Sequence, residues 1–368
     1  MDYSPDGDFA LNYNDYRKVR REVKVGSLKI GGLSPISIQS MTNTDTHDVD
    51  ATYNQAVRLR EAGCDILRIT APDIESVGTF AELKARGMDM PLVADIHFDY
   101  KIAIAAVSAG VDKIRINPGN IGDRDKIRAV VDACKERSVP IRIGVNSGSL
   151  EAHILKKYGS PTAEALAESA LYHAGLLLDL DFQDIILSVK SSDVQTMIAA
   201  NRILADKTDL PIHLGVTEAG AGERAVVKSS IGIGTLLAEG IGDTIRVSLT
   251  EDPVEEIYTA RAIIDSLSLN QNPGMDIVSC PTCGRTKIDL ISLLSRFEEQ
   301  VRARGLDKKC IKVALMGCAV NGPGEAREAD IGIAGGVGEA LLFKKGVIIR
   351  KIKEESLIDE LISEIEAM

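Results

Sequence analysis

Residues 65–96 read DILRITAPDIESVGTFAELKARGMDMPLVADI, and this stretch decides the fold. Two short β-branched runs, DILRIT (65–70) and PLVADI (91–96), flank a longer helix-like segment. The same unit recurs along the chain, with PISIQS (35–40), KIRIN (113–117), PIRIGV (140–145), DIILSVK (184–190), PIHLGV (211–216) and DTIRVSL (243–249). Intervening segments such as YNQAVRLREAG (53–63) and DKIRAVVDACKERS (125–138) have helical periodicity. Several end at Gly, a helix stop. Pro opens four of the runs, where no ladder donor is needed. Eight βα units over about 250 residues predict an α/β fold, a (β/α)8 TIM barrel, with an open doubly wound sheet as the alternative.

The texture changes after Asp265. SLSLNQNPGMD (266–276) reads as a linker between a barrel over 1–265 and a second, α+β domain over 277–368. That domain opens with CPTC. An amphipathic helix (289–305), an apolar strand (311–317), a Gly-rich loop and further strands in ADIGIAGG and ALLFKKGVIIRKI follow. A last helix aligns Leu357, Leu361 and Ile365 on one face.

The chain has 368 residues, of which 45% are hydrophobic and 26% charged, with a formal net charge of -11. A sizeable core can form, and the acidic balance argues against nucleic acid or anionic membranes as partners. No apolar run is long enough to span a bilayer. The polar N-terminus lacks an apolar signal core, so a cytoplasmic location is expected. Six cysteines in a chain this long point to metal or catalysis rather than a disulfide scaffold.

In a barrel enzyme the chemistry sits at the C-terminal strand ends. There Arg68, Arg115, Arg142 and Arg246 interrupt apolar strands at similar places, and Lys190 joins them. Asp95 and His97 close the third run, Asn117, Asn146 and His213 lie late in theirs, Ser248 follows Arg246 at i+2, and Thr217 and Glu218 follow the seventh run. Asp95 and Glu218 are the obvious carboxylates, so the excess positive charge calls for an anion. Arg presents a planar donor fork suited to phosphate, which predicts a phosphate- or diphosphate-bearing substrate. His97 reads equally as a structural residue or a contact. His47, His153 and His173 read as loop or helix-surface residues, and Cys64 and Cys134 as ordinary buried thiols.

A lone C-x2-C is ambiguous. Here Cys280 and Cys283 are joined by Cys318, which directly follows an apolar strand and precedes Asn321-Gly322-Pro323-Gly324, a loop able to turn around something bulky. Cys310, at a strand start, is a candidate bystander. A zinc site wants four N/S ligands, and this domain has no His. Three thiolates with a non-thiolate fourth position suit a [4Fe–4S] cluster, with Glu325 as an oxygen ligand or a solvated loop acid. Zinc and thiol redox chemistry remain the alternatives.

The stretches IQSMTNTDT (38–46), INPGN (116–120), IGVNSGSLE (143–151), VKSSD (189–193), HLGVTEAG (213–220), SCPTCGR (279–285) and GCAVNGPGEA (317–326) closely resemble the 4-hydroxy-3-methylbut-2-enyl diphosphate synthases in their bacterial two-domain form. The likeness runs from about Val23 to the C-terminus. It implies a barrel joined to a smaller iron–sulfur domain whose [4Fe–4S] cluster is held by Cys280, Cys283, Cys318 and Glu325. It implies reductive ring opening and dehydration of 2-C-methyl-D-erythritol 2,4-cyclodiphosphate to the linear hydroxymethylbutenyl diphosphate. Arg68, Arg115, Arg142, Lys190 and Ser248 would hold the diphosphate, supported by Arg246, Asn117, Asn146 and His213, with Asp95 a further candidate contact and Glu218 the acid/base. Flavodoxin or ferredoxin as electron donor and a homodimer are further implications. A pterin-binding barrel with an appended electron-transfer module and a non-enzymatic zinc module are the rival readings.

Overall fold

A closed parallel barrel carries the first of two units, Met1–Leu269, and an open mixed sheet carries the second, Asn270–Met368. The computed structural model describes residues 16–148, 150–269, 273–319, 324 and 326–368. The barrel strands are β3 (Ser37–Met41), β4 (Ile66–Thr70), β5 (Leu92–Asp95), β6 (Lys113–Ile116), β7 (Ile141–Asn146), β8 (Ile185–Lys190), β9 (His213–Leu214) and β10 (Thr244–Ile245). Each pairs in parallel with its sequence neighbour, β10 pairs with β3, and a bridge between Leu187 and Ile212 joins β8 to β9. All eight fall on the β-branched runs of the sequence, with β3 and β7 each extending one residue beyond theirs, to Met41 and Asn146. β9 and β10 are shorter than those runs, although Arg246 N still donates to Leu214 O at 3.0 Å. The ladder frays there where Gly215 and polar residues begin.

Five helices of the barrel unit start at Asp caps. Asp48, Asp99, Asp123, Asp193 and Asp252 each accept a backbone N–H of the first turn. Their apolar stripes, such as Ile127, Val130, Val131 and Cys134, bury against the outward faces of the strands. Every buried aliphatic side chain there contributes about 1.5–3 kcal/mol.

Residues 23–30, in the polar N-terminal region, form a hairpin that the sequence reading did not contain. β1 (Val23–Val25) and β2 (Leu28–Ile30) pair antiparallel around Gly26, whose φ of 57° permits the tight turn. Val23, Val25 and Ile30 pack on Ile66, Val93 and Ile186, the inward residues near the N-terminal ends of β4, β5 and β8. The hairpin therefore plugs the barrel floor. Its strands are three residues each, too short for a period-2 signal.

In the second unit, β11 (Asp276–Ser279), β12 (Lys312–Met316) and β13 (Ile331–Gly335) are parallel, and β14 (Glu339–Lys344) and β15 (Val347–Lys353) add an antiparallel hairpin. That hairpin turns at Lys345 and Gly346, both at positive φ. The helices Leu290–Ala303 and Leu357–Glu366 cover one core, and the stripe of Leu357, Leu361 and Ile365 is buried. The helix Pro253–Ser266 runs into the segment read as a linker, of which 270–272 lie outside the described residues. No helix among the described residues is long and apolar enough to cross a membrane.

Candidate active site

Strand register decides how the barrel's polar side chains stack. Inward positions alternate along each strand, and residues of one layer come from alternate strands. Tracing the pairings round the barrel puts Ile66, Lys113, Ile186 and Thr244 lowest. Gln39, Val93, Arg142 and His213 come next, then Arg68, Arg115, Ser188 and Arg246. Above them lie Met41, Asp95, Gly144 and Gly215, and at the mouth Thr70, Asn117, Lys190 and Ser248. The four arginines of the sequence pattern thus share one chamber, with Lys113 beneath them and Lys190 above.

Two carboxylates reach these cations among the described residues. Asp95 accepts from Arg115 Nη1 at 3.1 Å and lies 3.7 Å from Arg68 Nε. Burial pushes the Asp95 carboxyl up, but the charges of Arg68 and Arg115 and a hydrogen bond from His97 hold it well below the usual range. The second was not legible in the strand pattern. Glu256, on the helix Pro253–Ser266, accepts from Arg246 Nε and Nη2 at 3.2 and 3.0 Å, from Ser40 Oγ and from Leu249 N. Arg246 is therefore engaged by a buried carboxylate ten residues downstream.

The other cations are not matched in this way. Arg142 is 1% exposed, and its Nε and Nη2 have no hydrogen-bond partner among the described residues. Burial, with Arg68 and Arg115 alongside, lowers its pKa well below the usual guanidinium value. Lys113 Nζ is buried with no hydrogen-bond partner among the described residues, and burial, with Arg142 and Arg68 nearby, depresses its ammonium form. Burial likewise depresses Lys190, with Arg246 and Arg68 adding to the effect. A buried cation without a counter-charge is costly, so a chamber holding several is built to receive an anion.

Two glycines make the packing of cations feasible. A Cβ on Gly144 would stand 2.5 Å from Arg115 Nε, and one on Gly215 would stand 2.6 Å from both Lys190 Nζ and the Arg246 carbonyl. The signal for both was a glycine inside a strand run, in PIRIGV and PIHLGV.

The remaining predicted residues divide. Asn117 caps the short helix Pro118–Ile121 and accepts from Gly119 N at 3.0 Å; Asn146 Oδ1 accepts from Gly148 N at 3.2 Å. Ser248 is half-buried at the mouth. His213 is fully buried, its Nδ1 3.4 Å from Thr244 Oγ1 and its Nε2 without a hydrogen-bond partner among the described residues. Burial, then Arg142, holds its imidazole well below the ordinary pKa. Glu218 is exposed just beyond β9 in a left-handed conformation (φ 53°), a conformation that costs energy for a non-glycine residue. His173 is not a surface residue as the sequence suggested. It is 1% exposed on the helix Ala163–Leu178, where it shares an apolar stripe with Leu166, Ala170, Ala174 and Leu177 and contacts Glu151.

The thiols of the second unit lie at one end of its sheet. Cys280 follows β11 directly, Cys318 follows β12 by two residues, and Ser279 pairs with Leu315. Gly317 N donates to Cys280 Sγ at 3.2 Å, and Lys287 N donates to Gly317 O at 2.9 Å, tying the two loops together. A Cβ on Gly317 would meet Thr286 at 2.8 Å. Cys283 is exposed, and the backbone N–H and side chain of Arg285 lower its thiol pKa. None of the six cysteines forms a disulfide among the described residues. Cys310 lies at the opposite end of β12, and burial pushes Cys64 and Cys134 up to about 12. Among the described residues no three metal-ligating side chains converge on one point. Glu325 and residues 320–323 lie outside the described residues.

Comparison with known proteins agrees with both units. The family model described as the GcpE TIM-barrel domain matches residues 20–261, and that of the GcpE protein C-terminal domain matches 276–367. A Clostridium perfringens protein named 4-hydroxy-3-methylbut-2-en-1-yl diphosphate synthase (flavodoxin) is 58% identical over 96% of this chain and 99% of its own length. A protein of the same name from Caldanaerobacter subterraneus is 56% identical over 96% and 98%. Among solved structures, a type I 3-dehydroquinate dehydratase from Clostridium difficile (TM-score 0.50, 15% identity) covers 68% of this chain and 98% of its own. A 7,8-dihydropteroate synthase from Vibrio fischeri (TM-score 0.50, 13% identity) covers 68% and 99%. These two likenesses show the barrel fold alone. With both domain models matched in order and full-length relatives above half identity, the chain belongs to the GcpE family.

Proposed function

We propose that this chain reductively opens 2-C-methyl-D-erythritol 2,4-cyclodiphosphate to 4-hydroxy-3-methylbut-2-enyl diphosphate. Two electrons and protons enter, the ring C–O(P) bond breaks, and the neighbouring hydroxyl leaves as water. The observation that carries this reading is the cation chamber, in which Asp95 and Glu256 engage Arg68, Arg115 and Arg246 while Arg142, Lys113 and Lys190 have no ion-pair partner among the described residues.

The chamber's residues divide the work. Arg68, Arg115, Arg142 and Lys190 hold the diphosphate and balance the charge that grows as the cyclic phosphate becomes a free diphosphate end. Asn117 and Asn146 fix its orientation from the ends of β6 and β7, and Ser248 adds a hydroxyl. Asp95 and Glu256 keep Arg68, Arg115 and Arg246 aimed. Glu218, exposed beyond β9, carries a proton to the departing hydroxyl.

The donor set of the second unit fits an iron–sulfur cluster. Three free thiols stand at one sheet end, one accepts a backbone N–H, another is acidified, and no histidine accompanies them. Cys280, Cys283 and Cys318 would hold a [4Fe–4S] cluster with Glu325 as the fourth ligand, and when bound it supplies electrons one at a time. A flavodoxin donor follows the name of the relatives, and ferredoxin serves the same chemistry. A homodimer and a cytoplasmic location complete the proposal. The test is anaerobic turnover: reduced flavodoxin with cyclodiphosphate should yield the linear diphosphate, and absence of product with a fully loaded protein would refute the assignment.

A further inference from the structure

Glu151 sits at the N-cap of the helix Ala152–Tyr158, yet its side chain makes no capping bond there. It turns instead to the helix Ala163–Leu178. Ser169 Oγ donates to Glu151 Oε2 at 2.7 Å, and His173 Nε2 pairs with Oε1. Ser169 and His173 are buried, at 0% and 1% exposed. Burial works against the ionised carboxyl, but the bonds from His173 and Ser169 prevail and keep it charged, at about 2.

The same point touches a second loop. A Cβ on Gly119 would lie 3.1 Å from Glu151 Oε1, 3.2 Å from His173 Cε1 and 3.3 Å from Asn117 Oδ1. A methyl there would force these neighbours to give by a few tenths of an ångström. Gly119 N in turn donates to Asn117 Oδ1, which orients that amide. On the other side, Glu151 stands five positions beyond Asn146, the last residue of β7, and Asn146 Oδ1 accepts from Gly148 N. The pair of Glu151 and His173 thus joins the turn after Asn117 to the helix Ala163–Leu178.

We propose that Glu151 and His173 are positioning residues, a latch that holds Asn117 and Asn146 in the geometry that receives the diphosphate. The latch rests on the diphosphate reading of the chamber. It touches no reacting atom, and it acts on binding rather than on electron delivery. A side chain free to sample other conformations binds in proportion to its competent fraction, so loss of the pair should fall on affinity.

The test uses the full-length loaded enzyme and the variants Glu151→Ala, Glu151→Gln and His173→Gln. Four quantities are measured: melting temperature, iron content, kcat and KM for cyclodiphosphate, and affinity for inorganic diphosphate. Glu151→Ala should weaken diphosphate binding and raise KM tenfold or more, with kcat changed less than threefold and iron content held. Glu151→Gln, which keeps an acceptor and a donor at the same place, should recover most of that affinity. Affinity within twofold of wild type in both Glu151→Ala and His173→Gln would overturn the latch. So would a loss that follows melting temperature alone and is not recovered by Glu151→Gln. If the wild type binds diphosphate but does not reduce the cyclodiphosphate, the functional reading fails while diphosphate affinity still decides the latch. If it binds no diphosphate, both fail.

Discussion

Replacing Arg142 with Met should raise the stability of the unliganded protein and nearly abolish diphosphate binding. The guanidinium is 1% exposed between Arg68 and Arg115, and its Nε and Nη2 donate to nothing among the described residues. An unmet buried donor costs about 1–3 kcal/mol. Met preserves the aliphatic stem and removes both donors together with the charge. A net gain of about 1–3 kcal/mol is expected, which moves the melting temperature by roughly 2–4 °C for each kcal/mol in a domain of this size. Binding moves the other way. Two charge-assisted hydrogen bonds to phosphate oxygens, at about 1.5–3 kcal/mol each, correspond to a loss of roughly 10²–10⁴-fold in affinity. Thermal melting of the unliganded protein and calorimetric titration with inorganic diphosphate measure the two effects separately. A variant that melts lower than wild type and binds diphosphate equally well would refute the reasoning, because Arg142 would then be a structural cation.

Other perturbations probe the neighbours of Arg142. Glu256→Gln removes the charge that faces Arg246 at a site 3% exposed, and breaking a buried pair in this way should cost about 3–5 kcal/mol, read as a fall in denaturant midpoint. An unchanged midpoint would show that Arg246 finds another partner. Gly215→Ala places a methyl 2.6 Å from Lys190 Nζ and from the Arg246 carbonyl, so diphosphate affinity should fall at least tenfold while far-ultraviolet dichroism is retained. Acid should destabilise the barrel through His213. The unfolded chain takes a proton there near pH 6.5 while the buried ring does not, so its contribution is intact above that pH and declines below it, by about 2 kcal/mol at pH 5. His213→Asn should flatten that part of the stability–pH curve, and a curve of unchanged slope would remove His213 as the cause. Glu325→Ala should leave a labile cluster and little turnover, and a stable cluster with full activity would remove Glu325 from the ligand set.

The strands and their arginines were legible because both follow period 2: an arginine amid β-branched neighbours declares which face points inward. The three thiols were legible from spacing alone. What the sequence concealed depends on contacts between elements. Glu256 lies on a helix, and nothing in its helical periodicity says that it turns back to Arg246. Lys113 opens its strand as an ordinary exposed lysine would, and only register shows it beneath Arg142. Gly144 and Gly215 carried a visible sign, glycine inside a strand, whose meaning required the cations of adjacent strands. His173 was misplaced although its spacing from Leu166, Ala170 and Leu177 set it on a buried stripe, because a histidine among alanines and leucines was taken for a surface residue. The β1–β2 plug was missed because three-residue strands show no periodicity.

The central claim joins a diphosphate-binding barrel to a thiolate-held cluster. It is tested most directly by anaerobic iron and sulfide analysis with electron paramagnetic resonance of the reduced protein, recorded with and without 2-C-methyl-D-erythritol 2,4-cyclodiphosphate. About four irons and four sulfides per chain are expected, with a spectrum that changes when the cyclodiphosphate is added. A colourless protein that binds zinc in their place, or a cluster spectrum indifferent to the cyclodiphosphate, would contradict the account.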